Sequence, residues 1–224
     1  MKSAVDDIVE GTRQDNKERV LNICKYRDGK KIELIYTKGD SKHTQISNCD
    51  KGKVRLGDIH THPTSESDLG ITPSANDFTV NLYTTFNNKS KQLSCITSGY
   101  SKNIHCIEPK KMPDRQKLSN YSYSATNSRG IMVDSYIIEN APKDFNHLWF
   151  DKENLNHIKP SPIEIVNDAL GDSNEYIRKN MMDHNKDYLC KKIIQGLNKP
   201  NDNRVYTACM SELKRRKLLG IFEY

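Results

Sequence analysis

The residues best suited to chemistry lie in Gly57-Asp58-Ile59-His60-Thr61-His62-Pro63. Alternate residues of a strand point the same way, so His60 and His62 would project two imidazoles from one face. Two imidazoles so placed suit a single zinc ion. Downstream, Pro73-Ser74-Ala75-Asn76-Asp77 puts a carboxylate in the first turn of an expected helix. Asp77 would complete a three-ligand site and leave the fourth position for water. A catalytic zinc needs that position, because it acidifies the water that serves as nucleophile. Asp68 is the rival third ligand, only six positions past His62 and in mid-loop.

His60-Thr61-His62-Pro63 followed by Ser74-x-x-Asp77 resembles the signature of the JAMM (MPN+, JAB) metallopeptidases, HxHP with a downstream SxxD. The stretch from His62 to Asp77 is longer than in the usual family pattern, and an enlarged loop from Thr64 to Thr72 would absorb the excess. The resemblance covers residues from about 15 to 108. It implies a mixed α/β domain of the JAMM/cytidine-deaminase-like kind, a bound Zn2+, and hydrolysis of peptide or isopeptide bonds, often beside a ubiquitin-like C-terminus. It also implies an upstream glutamate as general base. Glu18, 42 positions before His60 and followed by the apolar run Val20 to Cys24, fits that role better than Glu33, which is 27 positions before it. Ser74 would donate a hydrogen bond to the oxyanion formed when water attacks the carbonyl. Asp58 is a candidate outer partner for a ligand histidine.

The elements around these residues read as a sheet with helices against it. Asp6 to Val20 suits a polar helix leading into a strand from Leu21 to Tyr26. The Asp28-Gly29 turn joins that strand to a hairpin partner at Lys31 to Tyr36. Further strands are expected at His43 to Ser47, Val54 to His60, Leu93 to Thr97 and Asn103 to Ile107, with a helix over Ser74 to Phe86. The expected class is therefore α/β (α+β, a mixed sheet flanked by helices). The division expected is a metallopeptidase-like domain over residues 1–110 and a mainly helical region over 111–224. Pro109 to Ser128, basic and rich in serine, reads as a connection. From Pro160 the pattern is helical: Ser161-Pro162-Ile163-Glu164 suits a helix start, and Tyr206, Cys209, Met210 and Leu213 form a stripe at helix spacing.

Composition sets the bounds. The 224 residues are 35% hydrophobic and 29% charged, with a formal charge of +6, so the surface should be heavily solvated around a modest core. No apolar stretch is long enough to cross a membrane, and MKSAVDDIVEGTRQDN lacks a signal-peptide core. Six scattered cysteines without a CxxC pair then read as reduced thiols, and the cytoplasm is the expected setting.

Each feature also has a plainer explanation. An HxH pair can be a polar strand edge, Ser74-x-x-Asp77 is also a helix-capping pattern, and Glu18 can be a solvated charge. Lys214-Arg215-Arg216-Lys217 complements a helix dipole as well as it suits nucleic acid. His43, His105, His147, His157 and His184 show no ligand spacing. Three functions follow in order: a zinc-dependent peptidase or isopeptidase acting on a protein or peptide, presented as an extended strand at a sheet edge; a non-catalytic scaffold of the same fold; and a DNA-associated protein.

Overall fold

In the computed structural model, residues 1–40, 46, 49–63, 71, 73–99, 101–127 and 135–159 are described. Their architecture is mixed α/β. Helix α1 (Lys2–Asp15) precedes strands β1 (Arg19–Tyr26), β2 (Ile32–Lys38) and β3 (Lys53–His62). Helix α2 (Ala75–Asn88) leads to β4 (Leu93–Ser98) and β5 (Asn103–Pro109). Helices α3 (Arg115–Asn127) and α4 (Ser135–Asp144) precede β6 (Phe145–Asp151) and β7 (His157–Ile158). All seven strands form one sheet in the order β2-β1-β3-β4-β5-β6-β7. β3 and β4 are parallel, and α2 supplies the crossover between them.

The two faces of the sheet are covered by different helices. Val5, Ile8, Val9 and Thr12 recur at helical spacing and make one buried stripe on α1. The three apolar members pack with Leu21, Ile23, Ile59, Cys95, Ile104 and Cys106. On the opposite face, Ala75, Phe78 and Leu82 of α2 join Ile107, Leu118, Tyr121, Ile137, Ala141 and Phe145. The expected polar helix over Asp6 to Val20 is corrected at both ends. It ends at Asp15, where Asn16 turns left-handed (φ 57°) and returns its N–H to the Thr12 carbonyl at 2.8 Å. Arg19 and Val20 already belong to β1.

Two further expectations are corrected. Pro109 to Ser128 is not a plain connection, because α3 occupies most of it. Asp114 caps its start by accepting the Lys117 N–H at 2.8 Å, and Leu118 and Tyr121 supply the buried side. So few apolar residues, among many serines and lysines, leave a weak periodic signal. Tyr121 is fully buried, and burial together with the neighbouring Asp144 carboxylate holds its phenol far above the usual tyrosine range. The reading of the cysteines as free thiols fails for four of the six: Cys24 pairs with Cys49, and Cys95 with Cys106. Cys95 and Cys106 lie directly opposite each other on β4 and β5, a closeness that sequence spacing does not reveal. Disulfides persist mainly in oxidising compartments, so the cytoplasmic expectation loses one of its two supports.

β6 pairs with β5 from Asn103↔Asp151 to Pro109↔Phe145, so the sheet runs on past the expected division at residue 110. The strand expected at His43 to Ser47 falls mainly outside the described residues. So do the helical readings from Pro160 onward and the Lys214 to Lys217 cluster.

Gly57 controls how closely β3 and β4 approach. A Cβ at this position would lie 1.9 Å from the Leu93 carbonyl oxygen, which belongs to the backbone of the neighbouring strand. Gly57→Ala should therefore push the two strands apart and destabilise the protein by about 3 kcal/mol, the upper end for overpacking. A chemical-denaturation midpoint equal to that of the wild type would show that the strands absorb the extra carbon.

Candidate metal centre

The candidate centre sits where the C-terminal end of β3 meets the first turn of α2. Strand alternation and burial place His60 and His62 on the face that α2 covers. A continuous row crosses the sheet at the level of His60: Val20, His60, Ile96, His105 and Trp149 are successive partners on five strands. Thr61 points the other way and fastens the segment. Its hydroxyl lies 2.6 Å from that of Thr12 on α1 and accepts the Arg19 N–H at 3.0 Å.

Asp77 reaches the histidines from the helix. Its Oδ1 is 3.3 Å from His60 Nε2, and its Oδ2 is 3.6 Å from His62 Nε2. One ligand atom from each of the three side chains falls within 4.8 Å of the others, so the group could hold a metal ion. Tetrahedral bonds of about 2.0–2.1 Å to nitrogen and oxygen separate neighbouring ligand atoms by roughly 3.3 Å. The His60 contact has that length, and the His62 contact is longer and made to the other carboxylate oxygen. His62 Nδ1 is buried with no hydrogen-bond partner among the described residues, and the buried His60 Nε2 faces Asp77. Asp68, the rival ligand, lies outside the described residues.

The helix start fixes the carboxylate. Ser74 Oγ accepts the Asp77 N–H at 3.2 Å, and Asp77 Oδ2 accepts the Ser74 N–H at 2.6 Å. This is a complete capping box, so the capping and ligand readings of Asp77 coexist. Because Ser74 Oγ accepts in this arrangement, its own proton remains available for donation. Between the two halves of the centre in sequence, Ile71 is held by His105, whose Nδ1 lies 3.1 Å from the Ile71 carbonyl oxygen. His105 also contacts His147 (Nε2 to Nδ1, 2.9 Å) and stacks on Trp149 at 3.9 Å between ring centroids. These are packing contacts that sequence spacing did not reveal, because their partners lie on a strand more than 40 residues away.

Glu18 is buried immediately before β1. Its N–H donates to the Asp40 carbonyl at 2.7 Å, and its carbonyl accepts the Gly39 N–H at 2.8 Å. The paired register of β1 with β3 begins at Val20↔His60, so Glu18, two residues earlier, lies toward the histidine-bearing end of β3. Glu33 is placed elsewhere. It lies opposite Cys24 and forms an ion pair with Lys53, at the far end of β3 from the histidines.

Asp58 makes the outer contact expected of it. His60 Nδ1 is 3.1 Å from Asp58 Oδ2, which also accepts the Ser94 hydroxyl at 3.0 Å. Sequence reasoning missed the other partner, Arg55, whose guanidinium donates to Asp58 Oδ1 at 2.7 Å. Plain alternation would put Arg55 and Asp58 on opposite faces. A bulge between Ile23 and Cys24 on the β1 side, with Leu56 as the extra residue on β3, brings them to the same one.

No protein-family model matches the chain, and no curated protein is similar enough to it to count as a relative.

Electrostatics define the metal-free state. Burial depresses the His60 imidazole, but Asp77 and Asp58 outweigh it and hold His60 well above the ordinary 6.5. Burial raises the Asp77 carboxyl, but His60 and His62 outweigh it and hold Asp77 well below the ordinary 3.8. For the raised histidine, the stabilisation is complete below 6.5 and disappears as pH rises through its folded value. For the depressed carboxylate, it is complete above 3.8 and disappears as pH falls through its folded value. The metal-free centre therefore stabilises the fold most between these two limits. A metal ion has to displace the His60 proton. Calorimetry in buffers of different ionisation enthalpy should show release of about one proton per bound divalent ion near neutral pH, with affinity rising as pH increases. Affinity independent of pH between 6 and 8 would contradict this description (about two units spanning the ordinary histidine range).

Proposed function

We propose that this protein is a JAMM-type, zinc-dependent hydrolase of peptide or isopeptide bonds, with His60, His62 and Asp77 as its metal ligands. The observation that carries this reading is the meeting of those three side chains, with Glu18 just before the neighbouring strand and Ser74 at the adjoining helix start. Two imidazoles and one carboxylate are a donor set used by catalytic zinc, and they leave a coordination position open. Zinc held there would supply an acidified water and a polarised scissile carbonyl.

The chain's own residues supply the remaining steps. Glu18 takes the proton from the attacking water and passes it to the departing amine, which becomes a neutral leaving group. Ser74 Oγ, already accepting from the Asp77 N–H, donates its proton toward the developing oxyanion. Burial of Glu18 and both histidines restricts competing water, which strengthens each of these interactions. The substrate is a protein or peptide offered as an extended segment, and an isopeptide linkage to a ubiquitin-like protein is the family theme to test first.

Glu18→Gln should retain the wild-type metal content and lose activity by about 10²- to 10⁴-fold, the usual contribution of a general base. Ser74→Ala should lose about 10²-fold, with some loss of stability from the missing cap. Zinc-loaded wild type and both variants would be assayed against ubiquitin-like conjugates and an extended-peptide library, with products read by mass spectrometry. Cleavage undiminished in Glu18→Gln would remove Glu18 from the mechanism. Absence of any metal-dependent cleavage in the wild type would remove the hydrolase reading.

A further inference from the structure

We propose that Arg55 is a positioning residue of the metal centre, acting through Asp58 to fix which nitrogen of His60 is offered to the metal. This rests on the reading of His60, His62 and Asp77 as ligands. Arg55 is among the largest fully buried side chains, and Asp58 beside it is only 1% exposed. The guanidinium divides its donors: one nitrogen goes to Asp58 Oδ1 at 2.7 Å, the other to Gln92 Oε1 at 3.0 Å. Gln92 in turn donates to the Arg55 carbonyl at 3.1 Å and to Ser90 Oγ at 2.9 Å. The Gln92 backbone is joined to α2 on both sides, accepting from Asn81 at 2.9 Å and donating to Thr85 Oγ1 at 3.2 Å. The chain of contacts therefore runs from α2 through Gln92, Arg55 and Asp58 to His60.

The direction of each bond follows from its neighbours. Paired with Arg55, Asp58 is a carboxylate and can only accept. Ser94 donates to its Oδ2, so His60 Nδ1, facing the same oxygen, must carry a hydrogen and donate as well. That leaves His60 Nε2, which faces Asp77 across 3.3 Å, as the nitrogen that can give up its proton and be offered to a metal. A histidine oriented in this way by a carboxylate is a better metal ligand, and loss of such a partner typically weakens metal binding by about 10- to 100-fold. Arginine suits the position because its planar fork serves Asp58 and Gln92 together, whereas a lysine ammonium is a single point of charge.

The test compares the full chain with Arg55→Lys and with Arg55→Gln/Asp58→Asn, a neutral exchange that avoids a stranded charge. Zinc affinity is measured by competition with a chromophoric chelator, the ligand field from the visible spectrum of the cobalt(II) protein, and folding from the melting of the metal-free protein. Each variant that folds is expected to bind zinc about 10- to 100-fold more weakly and to show a shifted cobalt spectrum. A folded variant with wild-type zinc affinity and an unchanged spectrum overturns the positioning role and leaves the ligand assignment standing. Wild-type protein that takes up neither metal overturns the ligand assignment itself.

Discussion

The arrangement depends on one buried carboxylate, that of Asp77, which belongs at once to a helix and to two imidazoles on a strand. Its Oδ2 closes the capping box of α2, which fixes where the helix begins. Its Oδ1 faces His60 Nε2 across 3.3 Å. Such a group is costly to bury alone, and here every neighbour offsets the cost: backbone N–H, imidazole and imidazole. Because β3 and β4 are parallel, α2 must pass over the sheet between them, and its first turn arrives near the end of β3 that carries the histidines. The fold thus brings the two parts of the centre together.

Much of the centre was legible in the sequence because it obeys local rules. His60 and His62 follow the two-residue period of a strand, and Ser74 and Asp77 follow the three-residue spacing of a helix start. The mixed α/β class followed from the same alternation of strand and helix patterns. What escaped notice depended on contacts between distant segments. Arg55 joins Asp58 only because a bulge rephases β3. Cys95 and Cys106 meet only through the register of β4 and β5. Helix α3 was hidden because its buried side needs few apolar residues when tyrosine fills the space.

Support on the two sides of the sheet is unequal in kind. The α1 side is an apolar cluster, and its polar tie to the centre is the pairing of Thr12 with Thr61. The α2 side carries the buried polar network of Gln92, Arg55, Asp58, Ser94 and His60 beside the group that could hold a metal ion. A buried polar network of this sort favours one arrangement of its members, since each lost contact strands a buried group. Arg55 Nε alone of the guanidinium nitrogens has no hydrogen-bond partner among the described residues. A scaffold without metal would gain little from such a construction, whereas a metal centre needs its ligands held in one geometry.

The most direct test of the central claim is bound-metal analysis of the wild type beside His62→Ala and Asp77→Ala, all expressed and purified identically. The account predicts about one zinc per chain in the wild type and its loss in both variants, as expected when one of three protein ligands is removed. Zinc retained in Asp77→Ala would assign the third ligand elsewhere, and a wild-type protein that takes up no metal even when zinc is supplied would contradict the account.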